Sequence, residues 1–216
     1  MIQGVIFDMD GLMFDTERIY QRAWIEAGRR LGAPITDEVV LRIRGRNVAD
    51  SRRLFGEMFG DSVDYAGVRA IRVQLSDEAI AKEGLPPKPG LYELFDALDA
   101  RGIKAALATS TVREKAMQYL SLAGLTGRFA ASVCGDEVTV SKPDPGIFLR
   151  AAALLGVPAE ACIVLEDSPN GITAAHRANA KPVMVPDLTP PDDPLRAVCA
   201  AVVPTLSDVI PLLDTL

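Results

Sequence analysis

The sequence predicts an α/β protein: a doubly wound parallel sheet with an inserted α-helical cap. Two observations lead there. Short apolar runs that each end on polar residues alternate with stretches of helical periodicity, and the interval between the first and second runs is far too long for one crossover helix. The length of 216 residues exceeds one average domain yet is short for two, which suits one core with one insertion.

The first strand is GVIFDMD, whose apolar run stops abruptly at two carboxylates one residue apart. From Thr16 to Pro87 no comparable strand follows, but ERIYQRAWIEAGRRLG and DEVVLRIRG carry helical patterns. This interval, 16–87, is the expected cap, and 1–15 with 88–216 the expected catalytic core. The chain is expected to return through EGLPPKPG, where Pro86, Pro87 and Pro89 stiffen the backbone and Gly84 and Gly90 permit sharp turns. Four further strands are expected in KAALATST, FAASVCGDE, ACIVLEDS and PVMVPD. Runs apolar on both alternating faces mark strands covered by helices on both sides. The helices are expected in VREKAMQYLSLAGL, GIFLRAAALLG and PNGITAAHRANA.

Composition narrows the function. The chain is 49% hydrophobic and 24% charged, as ordinary globular proteins are. Its 29 acidic and 23 basic residues give a net charge of −6, which argues against a nucleic-acid partner, since replacing phosphate counterions needs a basic surface. No apolar run approaches the ~20 residues that span a bilayer, and the amino terminus lacks a signal-peptide pattern, so no membrane partner and a cytoplasmic location are expected. Residues 16–87 hold 12 basic and 11 acidic side chains against 11 and 18 elsewhere, making the core the acidic part. Cys134, Cys162 and Cys199 are widely spaced among apolar residues, as reduced core thiols are, and show no zinc spacing. The single histidine, His176, sits in a helical stretch where a surface position is expected, which argues against a Ser/His/Asp triad.

Chemistry concentrates at the strand ends. Alternation along the first strand sends Asp8 and Asp10 to one side, and Gly11 lets the chain turn directly afterwards. In open α/β sheets ligands bind beyond the carboxyl ends of the strands. There the other strands deliver Thr109 and Ser110, Asp136, and Glu166 with Asp167. Crowded carboxylates oppose one another's ionisation unless a cation joins them. All-oxygen ligation points to Mg2+, an ion that also binds substrate phosphate oxygens, so a small phosphorylated metabolite follows. Lys142, before a helix start, and the N–H groups after ATST can grip phosphate. In the cap, Arg42, Arg44 and Arg46 flank Gly45, forming either a solvated helix end or a basic lip for an anionic substrate.

Taken in order, DMDGLMFDT, LATST, SKPDPGIF and LEDSPNGI resemble the four motifs of the haloacid dehalogenase-like superfamily, in its branch of sugar-phosphate phosphatases and β-phosphoglucomutase-like enzymes. The resemblance covers nearly the whole chain. It implies that Asp8 attacks phosphorus to form an aspartyl phosphate, and that Asp10 protonates the leaving group and then activates water. It further implies that Thr109 and Lys142 hold the phosphoryl oxygens, with Ser110 beside them. Mg2+ would be held by the Asp8 carboxylate, the Asp10 carbonyl and Asp167, with Glu166 direct or through water. Asp15 and Thr16 either help close the cap or begin a helix. Glu17, Arg46 and Asn47 are the expected substrate contacts from the cap.

The expected activity is hydrolysis of a small phosphomonoester, a sugar or nucleoside phosphate, by a monomer. Dehalogenases do not need a second acid at the Asp10 position. A β-phosphoglucomutase-like mutase is the alternative, but aligned mutases carry His where Tyr20 stands and Arg where Val48 stands. A receiver-like phospho-acceptor would be shorter and capless, and a dinucleotide enzyme would show G-x-G-x-x-G after the first strand.

Overall fold

A computed structural model describes all residues from Met1 to Leu216. Six strands form one parallel sheet: β1 Gly4–Phe7, β2 Lys104–Ala108, β3 Ala131–Val133, β4 Cys162–Glu166, β5 Lys181–Met184 and β6 Ala201–Val202. Their spatial order is β3-β2-β1-β4-β5-β6. The chain winds outward from β1 one way, then crosses back to β4 and winds the other way. The crevice at such a reversal is where open α/β sheets bind ligands.

β1 is central, paired from Gly4–Lys104 to Phe7–Leu107 on one side and from Gly4–Cys162 to Phe7–Leu165 on the other. One step further along this register, Asp8 stands level with Ala108 and Glu166. Side chains alternate across the pleat, so Val5 and Phe7 join an apolar layer with Leu94, Phe95 and Leu107, whereas Ile6 joins Ala106, Phe148 and Val164 on the opposite face. Phe7 stacks on Phe95 with ring centroids 4.9 Å apart. Burial on both faces explains why these strands read as unbroken apolar runs.

Four helices occupy the interval between β1 and β2: α1 Thr16–Leu31, α2 Asp37–Ile43, α3 Val48–Phe59 and α4 Tyr65–Glu83. They bury an apolar cluster of their own around Trp24, Phe55 and Tyr65, where Phe55 meets Tyr65 edge-on at 4.9 Å. The chain enters and leaves this cap through adjacent segments: the Asp15 N–H donates to Pro86 O at 2.9 Å and the Lys88 N–H to Met13 O at 2.8 Å. The remaining helices, α5 Leu91–Arg101, α6 Arg113–Leu122, α7 Gly146–Leu155, α8 Pro169–Arg177, α9 Asp193–Val198 and α10 Leu212–Thr215, belong to the sheet half. No helix is long and apolar enough to cross a membrane.

Some expected boundaries shift. FAASVCGDE contributes only three strand residues, since the chain turns after Cys134. β6 is two residues long, too short to leave a pattern, and α5 packs on the sheet outside every helical stretch singled out above. His176 is exposed in the last turn of α8, Cys134 and Cys162 are buried, and Cys199 is half-buried.

Candidate active site

Asp8 directly follows β1 and is buried, its N–H donating to Leu165 O at 3.1 Å. Its Oδ1 accepts from the ammonium of Lys142, which also donates to Glu166 Oε1 at 2.6 Å and to Ala108 O at 3.0 Å. All three Nζ protons are thereby used, and Lys142 is 1% exposed. The lysine braces three neighbouring strand ends from behind.

Glu166 is equally committed. Its Oε2 accepts from the N–H groups of Asp167 and Ser168 at 3.1 and 3.2 Å and from Ser168 Oγ at 2.9 Å. Ser168 Oγ in turn accepts from the Gly171 N–H at 3.1 Å, capping α8.

Carboxylate oxygens of Asp8, Glu166 and Asp167 lie within 4.8 Å of one another, and all three residues are buried. Lys142 pairs with Asp8 and Glu166, and Asp167 has no basic partner. Burial, opposed by Lys142, pushes the Asp8 carboxyl up to about 8. Burial and the charges of Glu166 and Asp8 push Asp167 well above the carboxylate range. Ionised together, three buried carboxylates against one ammonium would carry two negative charges in surplus, and their hard oxygen donors fit a divalent cation that offsets them. The backbone is shaped around this cluster. Gly11 has φ +83°, and a Cβ there would come within 2.8 Å of Asp167 Cγ.

Asp10 is held at both oxygens. Thr16 Oγ1 donates to Oδ1 at 2.7 Å and Thr111 Oγ1 to Oδ2 at 2.6 Å. Thr111 therefore faces the second acid, a contact that its place two residues past Thr109 in the sequence does not reveal. Thr16 begins α1, but its hydroxyl serves Asp10, and Asp15 makes no capping bond and pairs with Arg18. Thr109 is buried, its Oγ1 accepting from the Thr111 N–H at 3.1 Å.

Sheet edge and cap enclose a cavity of about 510 Å3, with Asp8, Asp10, Thr109 and Asp167 among the core residues lining it and Glu17, Arg46 and Arg72 among the cap residues. Ser110 also lines it, but its hydroxyl donates to Gly45 O of the cap at 2.8 Å. Glu17 faces Arg44 Nε at 3.2 Å, yet burial together with Asp10 outweighs that cation and pushes its carboxyl up to about 7.

Two expectations are corrected. Asp136 is exposed, does not line the cavity and accepts the Arg113 N–H at 2.9 Å, at the start of α6. Asn47 does not line the cavity either: it is buried as the cap of α3, its Oδ1 accepting from the Asp50 N–H at 2.9 Å. The cap instead sends Arg44, Arg69 and Arg72 to the cavity beside Arg46.

A reversing parallel sheet with an acidic cluster at its switch point, roofed by inserted helices, makes this a capped, doubly wound α/β protein. The haloacid dehalogenase-like hydrolase family model matches residues 2–179, and the chain belongs to that family. It is 33% identical to a phosphorylated carbohydrates phosphatase of Thermotoga maritima, over 82% of each chain. It is likewise 33% identical to hexitol phosphatase A of Escherichia coli, over 85% of this chain and 82% of that one. A solved hydrolase from Pseudomonas syringae superposes with a TM-score of 0.85 at 26% identity over 99% of both chains. The protein is an enzyme, a phosphatase of this family.

Proposed function

We propose that this phosphatase hydrolyses a small phosphomonoester of the sugar-phosphate class through phosphorylation of Asp8. The observation that carries the reading is the pairing of two differently prepared carboxylates: Asp8 braced by Lys142 inside the acidic cluster, and Asp10 held by two hydroxyls in the same cavity. The first suits a nucleophile and the second a proton carrier. Sugar-phosphate chemistry is favoured because the relatives named above are phosphatases of phosphorylated carbohydrates and hexitols.

In the first step an Asp8 oxygen attacks phosphorus, the bond from phosphorus to the ester oxygen breaks, and Asp10 passes its proton to the departing alkoxide. In the second, Asp10 takes a proton from water, whose oxygen attacks phosphorus and releases Asp8 and inorganic phosphate. Attack requires ionised Asp8, which Lys142 supports. Thr109 is the proposed contact of the phosphoryl oxygens, and Lys142 would join it only by exchanging one of its three present acceptors for one of those oxygens. Asp8 and Asp167 carboxylates and the Asp10 carbonyl would hold Mg2+, with Glu166, already accepting four hydrogen bonds, acting through water. When bound, that ion supplies positive charge that offsets the clustered carboxylates and the phosphoryl oxygens.

Hydrolysis is favoured over phosphosugar transfer because Tyr20 and Val48, which stand where aligned mutases carry His and Arg, both line the cavity. The test is phosphate release from an aryl phosphate with Mg2+ or with a chelator, in wild type and Asp8→Asn. Loss of turnover under either change is expected. Turnover that survives both rules out the mechanism.

A further inference from the structure

The turn joining α2 to α3 and the first turn of α3 lie against three core serines, each next in sequence to a group of the active site. Ser110, after Thr109, donates its hydroxyl to Gly45 O at 2.8 Å. Ser168, after Asp167, has its Oγ 3.4 Å from where a Cβ on Gly45 would stand. Ser141, before Lys142, makes the firmest contact: its N–H donates to Asp50 Oδ2 at 3.1 Å, and its hydroxyl donates to the same oxygen. The hydroxyl has one other acceptor within reach, Lys142 O at a long 3.4 Å. The Ser141 N–H thus has its acceptor in the cap and not in the core.

Asp50 is the third residue of α3, where an acidic side chain commonly turns back to the N–H of the capping residue. Here the carboxylate reaches out to Ser141 instead, and its other oxygen faces Arg53 at 3.7 Å. Desolvation alone would raise this carboxyl, but the Ser141 bonds, with Arg53 and Arg46, outweigh it and hold the group below its ordinary value. The acceptor is therefore charged, which strengthens both bonds.

Ser141 and Lys142 are consecutive, with Cα atoms ~3.8 Å apart, so a shift of the first displaces the second. Both are buried. The lysine ammonium must meet three oxygens at once, on Asp8, Glu166 and Ala108. Hydrogen bonds weaken steeply outside a narrow range of distance and angle, so this arrangement tolerates little displacement.

On the phosphatase reading above, in which Lys142 supports ionised Asp8, we infer that Asp50 is a positioning residue: its grip on Ser141 couples the seated cap to the lysine that prepares the nucleophile.

The test uses Asp50→Ala, which removes the acceptor, Asp50→Asn, which keeps an oxygen in its place, and Ser141→Ala, which removes only the hydroxyl. The first readout needs no substrate. Heteronuclear NMR of the metal-free protein follows the lysine ammonium groups, with the Lys142 signal assigned by its absence from Lys142→Met. Exchange of this ammonium with water is expected to quicken by about tenfold in Asp50→Ala, the scale of a lost charge-assisted hydrogen bond, and by a smaller factor in Ser141→Ala. Asp50→Asn should stay near wild type. The second readout is phosphate release from an aryl phosphate with Mg2+. In Asp50→Ala, kcat should fall by about tenfold while KM changes little, because Asp50 does not line the cavity, and Asp50→Asn should recover most of the loss.

An Asp50→Ala protein whose Lys142 ammonium exchanges as in wild type overturns the inference whatever its rate, since a role confined to the start of α3 predicts that result. An unchanged kcat overturns it too. If Asp50→Ala fails to fold, Ser141→Ala decides by the same two readouts. Failure of the NMR readout, with wild type still releasing phosphate, overturns the coupling alone, whereas a wild type that releases no phosphate overturns the phosphatase reading and the inference with it.

Discussion

Thr16, the first residue of α1, donates its hydroxyl to Asp10 Oδ1 at 2.7 Å, so the cap helix that roofs the cavity also aims the carboxyl group beside β1. Thr111 holds the other oxygen from the far side. Replacing Thr16 by Val keeps the shape and removes the donor. A hydrogen bond to a charged group contributes ~1.5–3 kcal/mol, so kcat should fall by roughly tenfold to a hundredfold. If Asp10 delivers the leaving-group proton, the loss is larger for an alkyl phosphate than for an aryl phosphate, whose phenolate departs readily. Steady-state rates on the two esters check this, and an equal loss on both would count against the proton-carrier role.

Lys142 holds two buried carboxylates at once. Lys142→Met keeps the stem and removes the only cation paired with the cluster. Removing one partner of a buried ion pair typically costs ~3–5 kcal/mol, because the other charge stays buried and uncompensated. Urea unfolding with a chelator present should therefore show a lower midpoint for the variant. Mg2+ should recover part of the loss by supplying the missing positive charge. Wild-type stability in the chelated variant would contradict the bracing role.

Much of this core is legible in the sequence because burial and alternation act over neighbouring residues. Asp8, Glu166 and Asp167 each stand at the end of an apolar strand run, and parallel register then brings them level. The cap side is less legible. A 3.6-residue period reveals that a helix has an apolar face, but not how its ends meet another layer. Asn47 and Arg46 are neighbours at the start of α3, yet Asn47 turns back to cap the helix while Arg46 lines the cavity. Arg69 and Arg72 give no local signal at all, since a helical period does not say which basic side chains of α4 reach the cavity. β6 escapes for a different reason: two residues show no period.

Gly11 joins the Asp8–Asp10 segment to the turn beneath Asp167. Gly11→Ala introduces two costs. A left-handed conformation is disfavoured by ~1–2 kcal/mol for a residue with a Cβ, and that Cβ would press on the Asp167 carboxylate. The expected result is a folded protein, judged by circular dichroism, whose half-saturating Mg2+ concentration in phosphatase assays rises at least tenfold. An unchanged Mg2+ requirement would separate Asp167 from metal binding.

Glu17 makes stability depend on pH in a predictable direction. Its carboxyl is pushed from 4.5 up to about 7 by burial and by the nearby Asp10 charge, with Arg44 opposing. Between those values the unfolded chain has released its proton while the folded chain retains it. The unfolded state then binds fewer protons, so stability falls as pH rises through the window and levels off above it. A shift of this size corresponds to ~3 kcal/mol across the window. Glu17→Gln removes the titration, and its stability relative to wild type should therefore grow by about that amount from pH 4.5 to 7. The comparison is made by urea unfolding with a chelator. Asp8 and Asp167 are also pushed upward and slope the same way in both proteins, and because the Glu17 charge helps raise Asp167, the difference between the two curves reports Glu17 together with that coupling. A difference that is flat with pH would show that Glu17 is ionised in the folded protein throughout, with Arg44 outweighing burial.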